Sequence, residues 1–364
     1  MAPTKVFVTG ATGYIGGDGL YAIAQAHPDW EITALVRTKE KGEEVARQYP
    51  SVTLVYGDLD SADLLEREAA KADIIYRKLV LLRRMPRFSS YSNQFLRPDF
   101  ADSDHVGAAK AIAKGISSHT PDRPGYWIHT SGTGMLTYED DLNLIFGELR
   151  PKEYNDWDGI TELTSFHDDA LHRDVDKIVL EVGTSASDRV KTAIVAPPCI
   201  YGPGRGPSNR RSYQIYNLAK TVLKRKRGIQ VGKGQNIWHQ VHIEDLSDLY
   251  LSLGEEAAES RGNATWGRDG YYFADNGPFV WGDIQKAVAE AAFAKGLVPS
   301  SDPEILDGTQ TEAEFTAGAH AWGTNSRGHA LRARKLLGWN PHRPVVFDLI
   351  PSIVEGEAKD LGLI

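Results

Sequence analysis

The sequence predicts a doubly wound α/β fold, a parallel sheet covered by helices on both faces, with a smaller C-terminal lobe. Three observations carry that expectation. Short β-branched runs alternate with helical patterns from the first residues. A glycine-rich turn joins the first such strand to the first helix. Beyond Pro197 the texture changes, with Pro, Gly and Asn clustering up to Asn209. Strand–helix–strand alternation implies right-handed crossovers, and therefore parallel strands.

The elements follow in order. Lys5 to Thr9 reads as a buried strand, Gly13 to Ala26 as a helix and Glu31 to Val36 as a second strand. Lys39 to Gln48 is helical, and Val52 to Tyr56 is a third strand. Ser61 to Ala70 is helical with Ser61 placed as N-cap, and Asp73 to Tyr76 begins a fourth strand. Further on, Ser103 to Ile116 and Asp169 to Val182 read as helices, Tyr126 to Thr130 and Val190 to Ala196 as strands. In the second lobe a helix is expected from Ser212 to Lys226, and strand-like residues near 238–250 are expected to return to the first domain.

Composition narrows the function classes. The 364 residues hold 41 basic and 49 acidic side chains, a net charge of −8, with ordinary globular hydrophobic content. No apolar run approaches the roughly 20 residues of a membrane span. The first ten residues carry no charged-then-apolar leader, so a cytoplasmic protein is expected. Cys199 is the single cysteine, which cannot pair internally and suits a reducing compartment. An acidic balance argues against nucleic acid or anionic membrane as partners; a small-molecule substrate is expected, and a homodimer is compatible.

The chemistry begins at Thr9-Gly10-Ala11-Thr12-Gly13-Tyr14-Ile15-Gly16. Gly10 permits a tight turn, Gly13 lets the backbone approach a pyrophosphate, and Gly16 lets helix and strand pack closely. The helix N-terminus then presents unpaired N–H groups to phosphate. Tyr14 and Ile15 lie within this stretch and join the expected cofactor contacts. At the end of the second strand an acid would select NAD; this chain has Arg37 instead, which favours NADP(H). Asp58, after the third strand, is either an adenine contact or an ordinary turn aspartate.

These residues resemble the short-chain dehydrogenase/reductase superfamily, in its extended, epimerase/dehydratase-like branch. Pro197-Pro198-Cys199-Ile200-Tyr201-Gly202-Pro203-Gly204 and Val241-His242-Ile243-Glu244-Asp245-Leu246 agree with it, and the resemblance covers about residues 3 to 250. It implies a Rossmann domain and a reaction centre of Ser/Thr, Tyr and Lys, the last two as Y-x-x-x-K on one helix. Lys177 has the surroundings of that lysine, implying that it holds the nicotinamide ribose; Pro198 joins the cofactor contacts. Ser131 and Thr133 are the candidates for the Ser/Thr. Four residues before Lys177, however, stands Arg173, which cannot trade a proton near neutral pH. His172, with Asp176 one turn on to orient it, or a water is the substitute on offer; a surface histidine with a helical acid partner is the reading preferred for His172 itself.

No metal site is expected. His239 and His242 are three apart on a strand and point to opposite faces. Lys224-Arg225-Lys226-Arg227 reads as a solvated helix end rather than a phosphate patch.

One segment stands out. Residues 77–98 hold six basic residues and no acid, leaving the rest of the chain at 35 − 49, or −14. Such a loop inside a compact domain is out of place. It reads as a lid or partner loop, a contact for the 2′-phosphate, or translated non-coding sequence; the last is preferred, because AKADIIY joins naturally to FADSDHVG without it.

The expected organisation is thus a dinucleotide-binding domain over residues 1–200, a lobe mainly over 201–364, and the atypical insert at 77–98. The expected function is an NADP(H)-dependent oxidoreductase or epimerase-like enzyme acting on a carbonyl or secondary alcohol. The alternative is a dinucleotide-binding redox sensor without turnover, which Arg173 in the tyrosine's place favours.

Overall fold

The computed structural model describes residues 2–77, 104–259 and 262–364; the atypical segment, apart from Arg77, lies outside them. Seven strands form the central sheet: β1 (Lys5–Thr9), β2 (Glu31–Val36), β3 (Thr53–Tyr56), β4 (Ile74–Arg77), β5 (Gly125–Thr130), β6 (Val190–Ala196) and β7 (Tyr271–Phe273). Their order is β7-β6-β5-β4-β1-β2-β3, and every neighbouring pair is parallel. The order reverses at β1, so the crevice beyond the carboxyl ends opens between β1 and β4.

The principal helices are α1 (Tyr14–Ala26), α2 (Lys39–Gln48), α3 (Ala62–Lys71), α4 (Val106–Ile116), α5 (Arg173–Ser185), α6 (Gln214–Arg225), α7 (Ile243–Glu259), α8 (Trp281–Ala294) and α9 (Val346–Asp360). Local chemistry sets their starts. Thr38 caps α2 by accepting from the Lys41 N–H, and the His105 ring caps α4 by accepting from the Ala108 N–H. Helix α5 begins at Arg173, later than the sequence suggests, because His172 is left-handed at φ 67° and cannot continue a helix backwards. Lys226, at φ 58°, ends α6 in the same way.

Two apolar cores result. The first fills both faces of the sheet, with Val8, Ile75, Trp127, Ile128, Ile194 and Tyr250 fully or nearly fully buried. The second holds the lobe, around Tyr201, Leu218, Trp238, Trp281, Trp322 and Ile353. The strand Ile237–His242 belongs to the lobe, pairing with Cys199–Tyr201 and Pro278–Val280. The return to the first core is made instead by α7, β7 and residues 330–339. This follows from burial: Leu246, Leu249, Tyr250 and Leu253 form an apolar stripe, and α7 lays it on α1 and the sheet. Among the described residues, no helix is long and apolar enough to cross a membrane.

Candidate functional site

The glycine turn has the geometry of a phosphate cradle. Gly10 sits at φ +73°, a conformation that side chains disfavour. A Cβ on Gly16 would lie 2.0 Å from the Gly10 carbonyl oxygen, so only glycine lets α1 approach β1 this closely. Gly13 caps α1 without a side-chain hydrogen bond, and no acid occupies the first turn. The positive end of the helix therefore carries no counter-charge of its own, as an anion site requires.

The residues around the cradle divide by role. The Tyr14 hydroxyl donates to the Gly202 carbonyl at 2.6 Å, and Ile15 is buried, so both side chains pack the turn from within. Burial raises the Tyr14 phenol well above its ordinary value, so it stays protonated. Arg37 follows β2 directly and is exposed at the carboxyl edge. Asp58 accepts from the Ser61 hydroxyl at 2.8 Å and the Asp60 N–H at 3.1 Å, which is turn chemistry. Those bonds, led by Ser61, hold its carboxyl below the usual range. Pro198 is buried at the start of the lobe.

Residues 202–210 then fold back over α1. The Asn209 N–H donates to the Thr12 carbonyl, Lys41 Nζ reaches the Ser208 hydroxyl at 2.7 Å, and Gly206 packs on Gly17. Asp18, fully buried, receives Arg205 Nη2 at 2.6 Å and the Ser247 hydroxyl at 2.7 Å. This clamp was not visible in the sequence, since its members are some 190 and 230 residues apart.

A second group lies at the end of β5. Ser131 Oγ donates to Asp176 Oδ2 at 2.8 Å, and His129 Nε2 stands 3.5 Å from Asp176 Oδ1. Arg77 Nη1 donates to His129 Nδ1 at 3.3 Å, which fixes the neutral tautomer with hydrogen on Nε2. Burial, joined by Arg77, lowers His129 below its ordinary value. His172 lies beside this group, and a Cβ on Gly132 would sit 3.0 Å from its Nε2. Its Nδ1 meets Asp104 Oδ1 at 2.7 Å. Burial opposes charge on the ring, but the Asp104 carboxylate prevails and raises His172 to about 9. A left-handed backbone at a buried, charge-paired histidine is strain of the kind that functional sites hold.

The structure sorts the remaining candidates differently from the sequence. Lys177 is exposed on the outer face of α5 and donates to Asp168 Oδ2 at 2.8 Å, so it does not join Ser131. Helical rotation explains this: the residues that α5 buries are Arg173, Val175, Asp176, Val179, Leu180, Val182 and Gly183, and Lys177 is on the other face. The inward pair at a spacing of four is therefore His172 and Asp176. Asp104, not Asp176, is the hydrogen-bond partner of His172, while Asp176 holds Ser131. Thr133 is tied to the lobe, its Oγ1 2.7 Å from Ser326 Oγ and its N–H donating to the Pro197 carbonyl. Arg173 is buried and donates to the Thr164 carbonyl at 2.6 Å. Asp104, Arg77 and His129 complete the group with Asp176; only the fold, which brings β4, β5, α5 and the turn before α4 together, could reveal those three.

His239 and His242 part as the strand alternation requires. The first faces Asp275 at 2.9 Å, and the second stacks edge-on against Tyr201. Cys199 is buried. In the basic run, Arg225 is bound to Glu304 and Glu314.

Comparison with known proteins is consistent with this geometry. Residues 3–84 match the NmrA-like family. Along 99% of both chains, this one is 36% identical to the oxidase ucsJ of an Acremonium species. The chain belongs to the same family as that oxidase, and its fold is that of the NAD-dependent epimerases and dehydratases. Among solved structures of that fold, UDP-glucose 4-epimerase from Thermotoga maritima superposes with a TM-score of 0.64 at 12% identity, covering 98% of this chain and 100% of that one. The dTDP-glucose 4,6-dehydratase DesIV from Streptomyces venezuelae, which carries NAD, gives 0.64 at 15% identity over 99% and 98%.

Proposed function

We propose that the protein is an NADP(H)-dependent oxidoreductase acting on a carbonyl or secondary alcohol of a small molecule, with His172 in the proton-transfer role. The observation that carries this reading is the buried His172, paired with Asp104 and seated against Gly132, the residue that follows Ser131. Likeness to a protein named as an oxidase supports redox chemistry.

The glycine cradle and the α1 N-terminus would hold the pyrophosphate, and Arg37 would meet the 2′-phosphate. When bound, the nicotinamide supplies or accepts the hydride. Asp104 keeps His172 charged at neutral pH, so the ring can give a proton to a substrate oxygen during reduction. Asp176 holds Ser131 in a fixed rotamer beside it. Lys177, turned to solvent, takes no part.

The test is turnover of NADPH against a panel of carbonyl compounds. His172→Ala should lower kcat by about 100-fold or more with nucleotide affinity retained, and Lys177→Ala should leave it unchanged. The burial of Ser131 favours a second reading, a redox sensor that binds dinucleotide without turnover. Tight NADPH binding with no oxidation of any panel member selects the sensor. Equal affinity for NADH and NADPH rejects the role given to Arg37.

A further inference from the structure

Away from the His172 group, three metal-ligating side chains from distant parts of the chain converge. His239 lies on the lobe strand Ile237–His242, Asp275 follows β7, and His329 ends the short strand Gly328–His329. One ligand atom from each falls within 4.8 Å of the other two. The two imidazoles meet edge to face with ring centroids 4.7 Å apart.

We propose that His239, Asp275 and His329 form a binding site for one divalent transition-metal ion, of the zinc class. Two imidazoles and one carboxylate suit zinc and its neighbours; calcium and magnesium prefer sites made of oxygen. Three protein ligands also leave a coordination position open.

The surroundings are those that orient metal ligands. Asp275 Oδ1 accepts the Ala330 N–H at 2.5 Å, and Oδ2 accepts the Gly277 N–H at 3.1 Å, so the carboxylate is held by backbone. Glu153 Oε2 meets His329 Nε2 at 3.1 Å, the carboxylate–histidine pairing that fixes a metal-bound ring. Asp275 Oδ2 and His239 Nδ1 are 2.9 Å apart, near the spacing of two ligands on one small ion. An ion would replace the proton they share. Arg334 Nη1, 3.4 Å from Asp275 Oδ1, and Arg327, paired with Glu153, oppose the added charge, which the Asp275 and Glu153 carboxylates offset. His239 and Asp275 are buried, while the His329 side chain is 39% exposed and gives an ion its way in.

The position has a structural consequence. Asp275 lies at the carboxyl edge of the parallel sheet, two strands from β5, and an ion there would tie that edge to the lobe strand carrying His239.

The test is titration of the chelator-treated full chain with Zn²⁺ by calorimetry, and with Co²⁺ by visible absorption. One equivalent of saturable binding is expected, with the Co²⁺ bands of a low-coordinate N/O site. His329→Ala removes a half-exposed side chain, so it should fold normally and lose the binding. Glu153→Gln, one shell out, should weaken it about 10-fold or more. The proposal is overturned if the wild-type chain takes up no saturable equivalent, or if His329→Ala binds as well as the wild type. The latter result would place the ion on exposed histidines elsewhere.

Discussion

His172 shows how much one residue's surroundings decide. Its pairing with Asp104 makes stability depend on pH in a definite sense. Below about pH 6.5 the ring is charged in both folded and unfolded chains, and the pair contributes fully. As the pH rises towards about 9, the unfolded chain loses that proton while the folded one keeps it, so stability falls. Over the whole window the loss is about 3 kcal/mol, and above it nothing of the contribution remains. Urea denaturation from pH 6 to pH 10 should show this decline in the wild type. Asp104→Asn should flatten it; an unchanged slope would mean that other groups set the dependence. His172 and Asp176 were legible as a pair four apart, because helical spacing is local. Asp104 was not, because it precedes α4 and reaches His172 only through the fold.

At the scale of elements, the segment 202–210 fixes how the glycine cradle sits. Its hold depends on Asp18, which keeps its charge despite full burial because Arg205, the Arg205 N–H and Ser247 all donate to it. Arg205→Ala would leave that carboxylate without a cation, a loss of about 3 kcal/mol, towards the lower end of such cases because the guanidinium is a quarter exposed. Chemical denaturation should show that loss. Asp18→Asn combined with Arg205→Met should recover most of it, since neither leaves a buried charge. If Arg205→Ala proves neutral, the clamp does not hold the loop. The strands and helices around the cradle could be read from periodicity, because each buries a face that its own spacing declares. Lys177 could not: a one-residue change of phase on α5 moves a side chain by about 100°, from the buried face that holds Asp176 to solvent.

The molecule as a whole has two cores but not two separable halves. The chain enters the lobe at Cys199–Tyr201, returns through α7 and β7, leaves again at Pro278–Val280, comes back at 330–339 and ends in the lobe with α9. A division at residue 200 would strip the first core of Leu246, Leu249, Tyr250 and Leu253, and the sheet of β7. Tyr250 ties α7 to two neighbouring strands of that sheet, its hydroxyl meeting Thr130 Oγ1 on β5 and its carbonyl accepting from the Tyr76 hydroxyl on β4. Shared elements of this kind couple the cores, because neither can keep its buried area once the other has opened. Unfolding is therefore expected as one transition. Trp127 reports the first core, and Trp281 with Trp322 reports the second, so variants keeping one set or the other give separate fluorescence probes. Their urea midpoints should coincide with each other and with far-UV circular dichroism. Midpoints that separate would show two independent folding units, and the interleaved cores would then not be coupled.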